Sequence, residues 1–431
     1  MMTTSPPSLE SLQQNDRDRV REHFSEDPDW LIEQRINAFF EYLHTPILAR
    51  KRTPLNHRQF ENLPLFTQQP PELGGSWLSA EMSDGLLVLA GSEVAVLRPP
   101  AGRTAERVIF TDLRTAAMTH FEVVKPYLAR VARAANSKFD ALNRAWWQNG
   151  VFLFIPRGVQ IAEPFTVVHH QVASPGFFPR SLIVLEDDSE ATVIDLYVSP
   201  SLKSGPRSLA AISVEAVVGA NASLHYGSIE QLALNTDAFA TRTADLETHA
   251  RMDWNVGSFG SGLEVSQQTT YLNGTGSENN SLTVFFGSRS QHHDLEVTSV
   301  HQGAHTRSNI IGKGVMKGRS RSIFTGVTDI KQGARGSDAR QKEQTLMLSD
   351  QARADAIPSL LIEENDVFAA HAASAGPVDA NAIYYLTSRG VAPEEAEQLI
   401  VEGFLAPVID AIALTEVRQR VWSAVREKVR E

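Results

Sequence analysis

The chain has 431 residues, 42% hydrophobic and 21% charged, enough for two or three domains with a sizeable core. Lys plus Arg number 40 against 51 Asp plus Glu, a formal charge of −11, which argues against nucleic acid as the main partner because phosphate binding needs a basic surface. The absence of cysteine excludes disulfides, thiol catalysis and any thiolate metal site made by this chain alone. No apolar run approaches the ~18 residues of a membrane span. The opening MMTTSPPSLESLQQNDRDRV lacks the apolar centre of an export signal and carries acids early, so a cytoplasmic protein is expected.

Pattern divides the chain into a mostly helical region over 1–150, a β-rich core over 151–378 and a second helical region over 379–431. In EDPDWLIEQRINAFFEYLHTPI, Asp27 is placed to cap a helix and Pro28 suits its first position. Ile32, Ile36, Phe39, Phe40 and Leu43 then recur at helical spacing, and Pro46 stops the run. GLLVLAGSEVAVL reads as two strands around a Gly-Ser turn, and a second helical stretch is expected over Ala116 to Arg144.

Short runs rich in Val, Ile, Thr and Phe follow: VFLFIP, SLIVLE, ATVIDLYV, AAISVEAVV, DLEVTSV, SIFTGVTDI and TLMLS. Turn clusters near Asp188, Ala220, Ala250, Gly274, Gly303, Gly318, Gly333 and Asp350 recur at roughly 15 or 30 residues, a spacing suited to repeats. One solenoid turn cannot bury its own face, but stacked turns can. An antiparallel sandwich is the alternative, since Gly-Asn and Gly-Ser turns also serve hairpins. Past Asp379, a plausible cap, Ile383 and Leu386 point inward and Gly390 ends the helix. Pro393, Glu394 and Glu395 open the next, with Ala396, Leu399, Ile400 and Phe404 as its stripe. Val417, Val421, Val425 and Val429 stripe the last.

Chemical motifs are sparse. There is no GxxxxGK[ST] and no GxSxG, and GKGVMKG (312–318) lacks a βαβ setting. Glu186 to Asp188 reads as a solvated turn. The pairs His169–His170 and His292–His293 point to opposite faces of a strand, so neither chelates one metal. His301 and His305 have HxxxH spacing outside a helix. In ENDVFAAHAASAGPVD, His371 shares a strand face with Val367 and Ala369, and pattern alone favours a satisfied buried histidine. One imidazole cannot hold a metal by itself, since zinc or iron wants about four ligands.

The segment from NIIGKGVMKG to LIVEGF resembles the C-terminal core of the SufB/SufD family, scaffold subunits of the SUF iron–sulfur cluster assembly machine. The matching positions are Gly312, Phe324, Gly326, Gln341, Leu346, Leu348, Ser349, Pro358, Leu360, Ile362, Asp366, Val367, His371, Gly376, Tyr385, Leu386, Arg389, Gly390 and the pair Gly403–Phe404. DPDWLIEQRINAF resembles the family's Trp-containing N-terminal helix through Trp30, Arg35 and Ala38. GVFLFIPRGVQIAEPF resembles its first core strand through Gly150, Pro156, Gly158 and Pro164.

The resemblance implies a right-handed parallel β-helix flanked by helical regions. It implies two partners, the paralogous scaffold SufB and the ABC-type ATPase SufC, which docks on the helices between Asp379 and Leu414. It implies a non-catalytic subunit and a transient iron–sulfur cluster at the SufB interface, with no cofactor held tightly by this chain alone. A chain without cysteine resembles the histidine-bearing branch, whose DVxxxHGAxxG-like motif places its histidine at His371. The implied role is a half-site and candidate iron ligand whose thiolate lies on the partner; imidazole replaces thiolate in Rieske-type clusters too. The family's usual Gly is Ala372 here, which would cost about 1 kcal/mol if that Gly supplies a positive φ. Two other readings remain: a homodimeric scaffold working without SufB, and a polysaccharide-active β-helix enzyme needing a groove of clustered carboxylates.

Overall fold

The computed structural model describes residues 14–47, 50, 52–55, 58, 60, 84–102, 107–130, 137–172, 176–199, 207–410, 412 and 415–430. Most of the opening segment read for an export signal lies outside them. The first region contains α1 (Gln14–His23), α2 (Asp29–His44), β1 (Leu86–Ala90), β2 (Glu93–Arg98), β3 (Ile109–Asp112), α3 (Leu113–Thr119), α4 (Phe121–Val124) and α5 (Lys138–Trp146). The core begins with β4 (Gly150–Ile155), β5 (Phe165–His170), β6 (Gly176–Phe177), β7 (Arg180–Leu185), β8 (Glu190–Val198), β9 (Ser208–Val218), β10 (Ser223–Gln231), β11 (Thr236–Leu246) and β12 (Arg251–Ser258). It continues with β13 (Leu263–Leu272), β14 (Glu278–Gly287), β15 (His292–His301), β16 (Arg307–Met316), β17 (Arg321–Ile330), β18 (Ser337–Met347), β19 (Arg353–Ile362) and β20 (Val367–Pro377). Helices α6 (Ala380–Ser388), α7 (Pro393–Ile409) and α8 (Thr415–Arg430) follow.

From β7 onward, consecutive long strands alternate between two sheets. One sheet runs β2-β1-β5-β8-β10-β12-β14-β16-β18-β20, the other β19-β17-β15-β13-β11-β9-β7-β4-β3. The core ladders are parallel, and antiparallel pairing occurs at β1–β2 and β3–β4. A parallel β-solenoid is therefore the fold, and the sandwich alternative falls, because its hairpins would make the core ladders antiparallel. The near-30-residue spacing is one solenoid turn. At one corner, Asp188, Asn221, His249, Gly276, His305 and Gly336 all have positive φ. Their N–H groups donate to Ala220, Thr248, Thr275, Ala304, Arg335 and Asp366 carbonyls, tying each corner to the next turn.

The early lumen is filled by apolar side chains such as Leu153, Val167, Val193, Val214, Tyr226 and Trp254. Outside, α2 and α5 lay Ile36, Phe39, Leu142 and Trp146 against Leu209, Phe239 and Val265. On the opposite sheet, Val401, Leu405, Val417, Val421 and Val425 of α7 and α8 cover Ile194, Ile229, Val284 and Val315.

Several local expectations change. Asp27 caps nothing: its buried carboxylate accepts from Arg35 Nε at 2.8 Å, and Pro28 takes the N-cap position of α2. Arg35 is the central buried group of that helix, lying 3.7 Å over the Phe24 ring and 4.2 Å over the Trp147 ring. Its Nη1 donates to the Ala145 and Trp147 carbonyls, and burial lowers its pKa to about 10. Leu43 is exposed, because α2 turns its Leu31–Arg35–Ala38 edge inward as well. The second helical stretch is split into α3, α4 and α5, and 131–136 lie outside the described residues. In α7 the buried positions are Ala396, Val401, Leu405, Val408 and Ile409, while Leu399 points outward. Asp379 does cap α6, accepting from the Asn381 N–H, and the valine stripe of α8 is buried.

Candidate functional site at the open end of the solenoid

The two ends of the solenoid are built differently. At the first end, the sheets finish on short antiparallel strands, β2 and β3; α3 and α4 pack on the sheet of β3, and β2 is an exposed six-residue edge. At the last end they finish on β19 and β20, ten and eleven residues long. Neither is paired on its outer side among the described residues. Leu361, Ile362 and Phe368 stand 51%, 43% and 54% exposed there. The sequence of β20, VFAAHAASAGP, carries no Asp, Glu, Lys or Arg to discourage edge pairing.

His371 sits in the middle of β20, in register with Gln341 of β18. Burial along β18 alternates, with Ser337, Ala339, Gln341, Glu343 and Thr345 buried, so these face the lumen. Register places His371 on the same lumen-facing row. It is nevertheless exposed, because no further turn stacks on it. The buried-histidine reading is thus overturned: strand alternation identified the correct face but could not show that the covering turn is missing. Ala372 has extended backbone inside β20 and is absent from the positive-φ positions, so alanine introduces no backbone strain there.

Below His371 the lumen is polar. Gln341 Nε2 donates to Thr328 Oγ1 at 2.6 Å and to the Ser359 carbonyl at 3.3 Å. Glu343 Oε1 accepts from Thr345 Oγ1 at 2.9 Å. Burial pushes the Glu343 carboxyl up to about 7. Deeper still, His301 binds the Thr306 hydroxyl through Nδ1 and the Ser308 hydroxyl through Nε2, and burial lowers it to about 4.

The motif glycines shape this end. A Cβ on Gly312 would sit 2.7 Å from the Phe324 ring, and one on Gly326 would sit 2.9 Å from Gln341 Oε1. Pro358, in register with Gly326, occupies edge strand β19, where its missing N–H is tolerated. The Asp366 carbonyl accepts from Gly336 N–H at 2.6 Å and closes the last corner. Gly376 lies on β20 with open space at its Cβ position. Arg389 stacks over the Tyr385 ring at 5.3 Å, and Gly390, φ +88, ends α6. Gly403 sits in α7 with open space around it. The Phe404 carbonyl accepts from Lys313 Nζ at 2.6 Å, binding α7 to β16.

His169, His292 and His293 lie within the fold, away from the open end. His169 Nε2 lies 2.8 Å from Asp195 Oδ1, and its ring stacks on Tyr197. Burial pushes Asp195 up, but His169 and the Tyr197 and Tyr226 hydroxyls outweigh it and hold it below the usual carboxylate range. His293 meets Ser258 and Glu264 at 3.1 Å, and burial drops it to about 3. Burial lowers His292 to about 4. Among the described residues no three His, Asp or Glu side chains gather to hold a metal ion, and no helix is long and apolar enough to cross a membrane. The sequence reading missed Glu343; its signal was the alternation in SDARQKEQT, which puts Gln341 and Glu343 on one face.

Fold and site together define a parallel β-solenoid with one sealed end, one open end and a histidine at the open mouth. Residues 167–404 match the family described as SUF system FeS cluster assembly, SufBD core domain, and 82–167 match the SufBD protein N-terminal region. The iron–sulfur cluster assembly protein SufD of Bacillus subtilis is 32% identical over 94% of this chain and 95% of its own length. An iron–sulfur cluster assembly SufBD family protein of Staphylococcus haemolyticus is 26% identical, over 89% and 86%. The chain belongs to the SufB/SufD family of iron–sulfur cluster assembly proteins.

Proposed function

We propose that this chain is a SufD-type, non-catalytic scaffold subunit of a cytoplasmic SufB–SufC–SufD assembly. The observation that carries this reading is the open end of the solenoid. A ten- or eleven-residue edge rich in Ala, Leu and Ile, with unpaired backbone groups, is a template for another strand. A SufB-type paralogue with the same rung spacing would continue both sheets and cover Leu361, Ile362 and Phe368.

His371 then lies between the two lumens, where a thiolate from the partner completes a site for a nascent iron–sulfur cluster. The region 379–431 docks the SufC-type ATPase. In its support, α6 has no buried residue, and Tyr384 and Tyr385 are 73% and 57% exposed beside outward-facing Leu399. ATP-driven dimerisation of SufC would pull on the docked scaffolds and shear the interface, exposing the thiolate and His371 together. The region 1–150 seals the far end, and 151–378 is the scaffold proper.

Co-expression with the cognate SufB and SufC tests this. The expected result is a complex containing all three, with an anaerobic visible chromophore that His371→Ala loses while the complex stays intact. Failure of the wild-type chain to join the complex overturns the reading. An unchanged chromophore in His371→Ala removes the histidine from the site.

A further inference from the structure

Beneath His371 lies a second donor set that the resemblance does not name. β18 and β20 run parallel, with Gln341 opposite His371 and Glu343 opposite Ala373. Glu343 and His371 are therefore diagonal neighbours on the lumen face, with Cα atoms roughly 7–8 Å apart. Side chains of this length can reach one ion from that separation.

Glu343 is only 7% exposed, and its Oε2 has no hydrogen-bond partner. Its column neighbours are Gly312 on β16 and Ala373 on β20, and neither brings a donor side chain. Among the described residues no Lys, Arg or His forms an ion pair with it. The Oε1 of Gln341 is also buried without a partner, but it faces the Gly326 position of the preceding turn, away from β20. A buried carboxylate without a donor is costly, and natural proteins leave few. Here an unpartnered carboxylate oxygen lies on the same lumen row as the imidazole, roofed only by the small residues of β20, and both groups suit a cation.

We propose that Glu343 is a second ligand of the cation held at His371, so that this chain supplies a carboxylate–imidazole half-site. The inference rests on the reading of His371 as a ligand for assembly cargo. Imidazole with carboxylate is a donor pair for a divalent first-row metal such as ferrous iron. The carboxylate neutralises charge that one neutral imidazole leaves uncompensated. Remaining positions stay open for the partner's thiolate and for sulfide.

The test is anaerobic titration with ferrous ion alone, by calorimetry, on the full chain and again on its complex with SufB and SufC. Wild type, Glu343→Gln, His371→Ala and the double variant are compared. The expected result is one site weakened roughly 10- to 100-fold by each single change. The double variant should lose less than the product of the two, since both act on one ion. Glu343→Gln should melt at or above the wild-type temperature, which separates loss of a ligand from loss of structure. If Glu343→Gln binds iron as wild type does while His371→Ala does not, the carboxylate is only a buried acid and the inference falls, leaving His371 in place. If wild type binds no iron in either form, the half-site falls as well, while assembly of the complex is judged separately by its composition.

Discussion

The two ends of the solenoid solve the same problem in opposite ways. Any stack of parallel turns leaves a first and a last rung with unpaired backbone and an uncovered lumen. At the first end the chain seals itself. Short antiparallel strands terminate the ladders, β2 carries Glu93 and Arg98 along an exposed edge, and α2, α3 and α5 cover the sheet. At the last end the ladders stop on two long edges, β20 without a charged residue and β19 with Arg353 and Asp355 near its start, and Leu361, Ile362 and Phe368 are left in water. The lumen is mixed along its length: Leu, Val and Trp fill the first turns beside the buried His169–Asp195 pair, and Phe285 and Phe324 lie among hydrogen-bonded Gln, Ser, Thr and His in the later ones. One end is built for stability. The other tolerates a cost in the isolated chain that a partner can recover.

Four substitutions would break or sharpen that contrast. The largest effect is expected at the sealed end. Arg35→Ala leaves Asp27 buried without its partner and empties the space between Phe24 and Trp147; denaturant unfolding of the isolated chain should show a loss of about 3–5 kcal/mol.

Next comes the polar lumen. His301 has its folded pKa lowered to about 4, against 6.5 for an exposed imidazole. As pH falls through 6.5 the unfolded chain takes up a proton that the folded chain refuses, so stability is lost between pH 6.5 and 4 and is intact above that window. His301→Gln should flatten that part of the profile by roughly 2–3 kcal/mol at pH 4. Unchanged pH dependence would mean that the ring finds water on opening.

Gly312→Ala forces a methyl against the Phe324 ring and should cost about 1–3 kcal/mol, read as a lower melting temperature with the fold retained. The smallest effect on stability belongs to the open end. Phe368→Asp should change the unfolding free energy of the isolated chain by no more than about 0.5 kcal/mol, yet abolish assembly with SufB. Equal losses at both ends would show that the last rung is closed by the chain itself.

Much of this was legible from residue order. The hairpin of β1 and β2, the repeat near 30 residues, the Asp379 cap and the α8 valine stripe all follow from alternation and capping chemistry, which are local. Three readings failed for one shared reason. Asp27 looked like a cap, Leu43 and Leu399 looked buried, and His371 looked enclosed on pattern. Each depends on what stands across a contact far away in sequence: Arg35 and its aromatic cage, the tilt of a helix on its sheet, or the absence of another turn.

What the sequence determined by itself was the kind of object: strands of period two, corners that accept positive φ at fixed intervals, helices before and after, and a cysteine-free histidine motif. Those are properties of single residues and their near neighbours. Only the tertiary structure decided where the stack ends. His371 is far along the chain from Gln341 and Glu343, and stacking of β20 on β18 alone brings it beside them at the uncovered end. Exposure there is set by a missing neighbour, which no local pattern can encode.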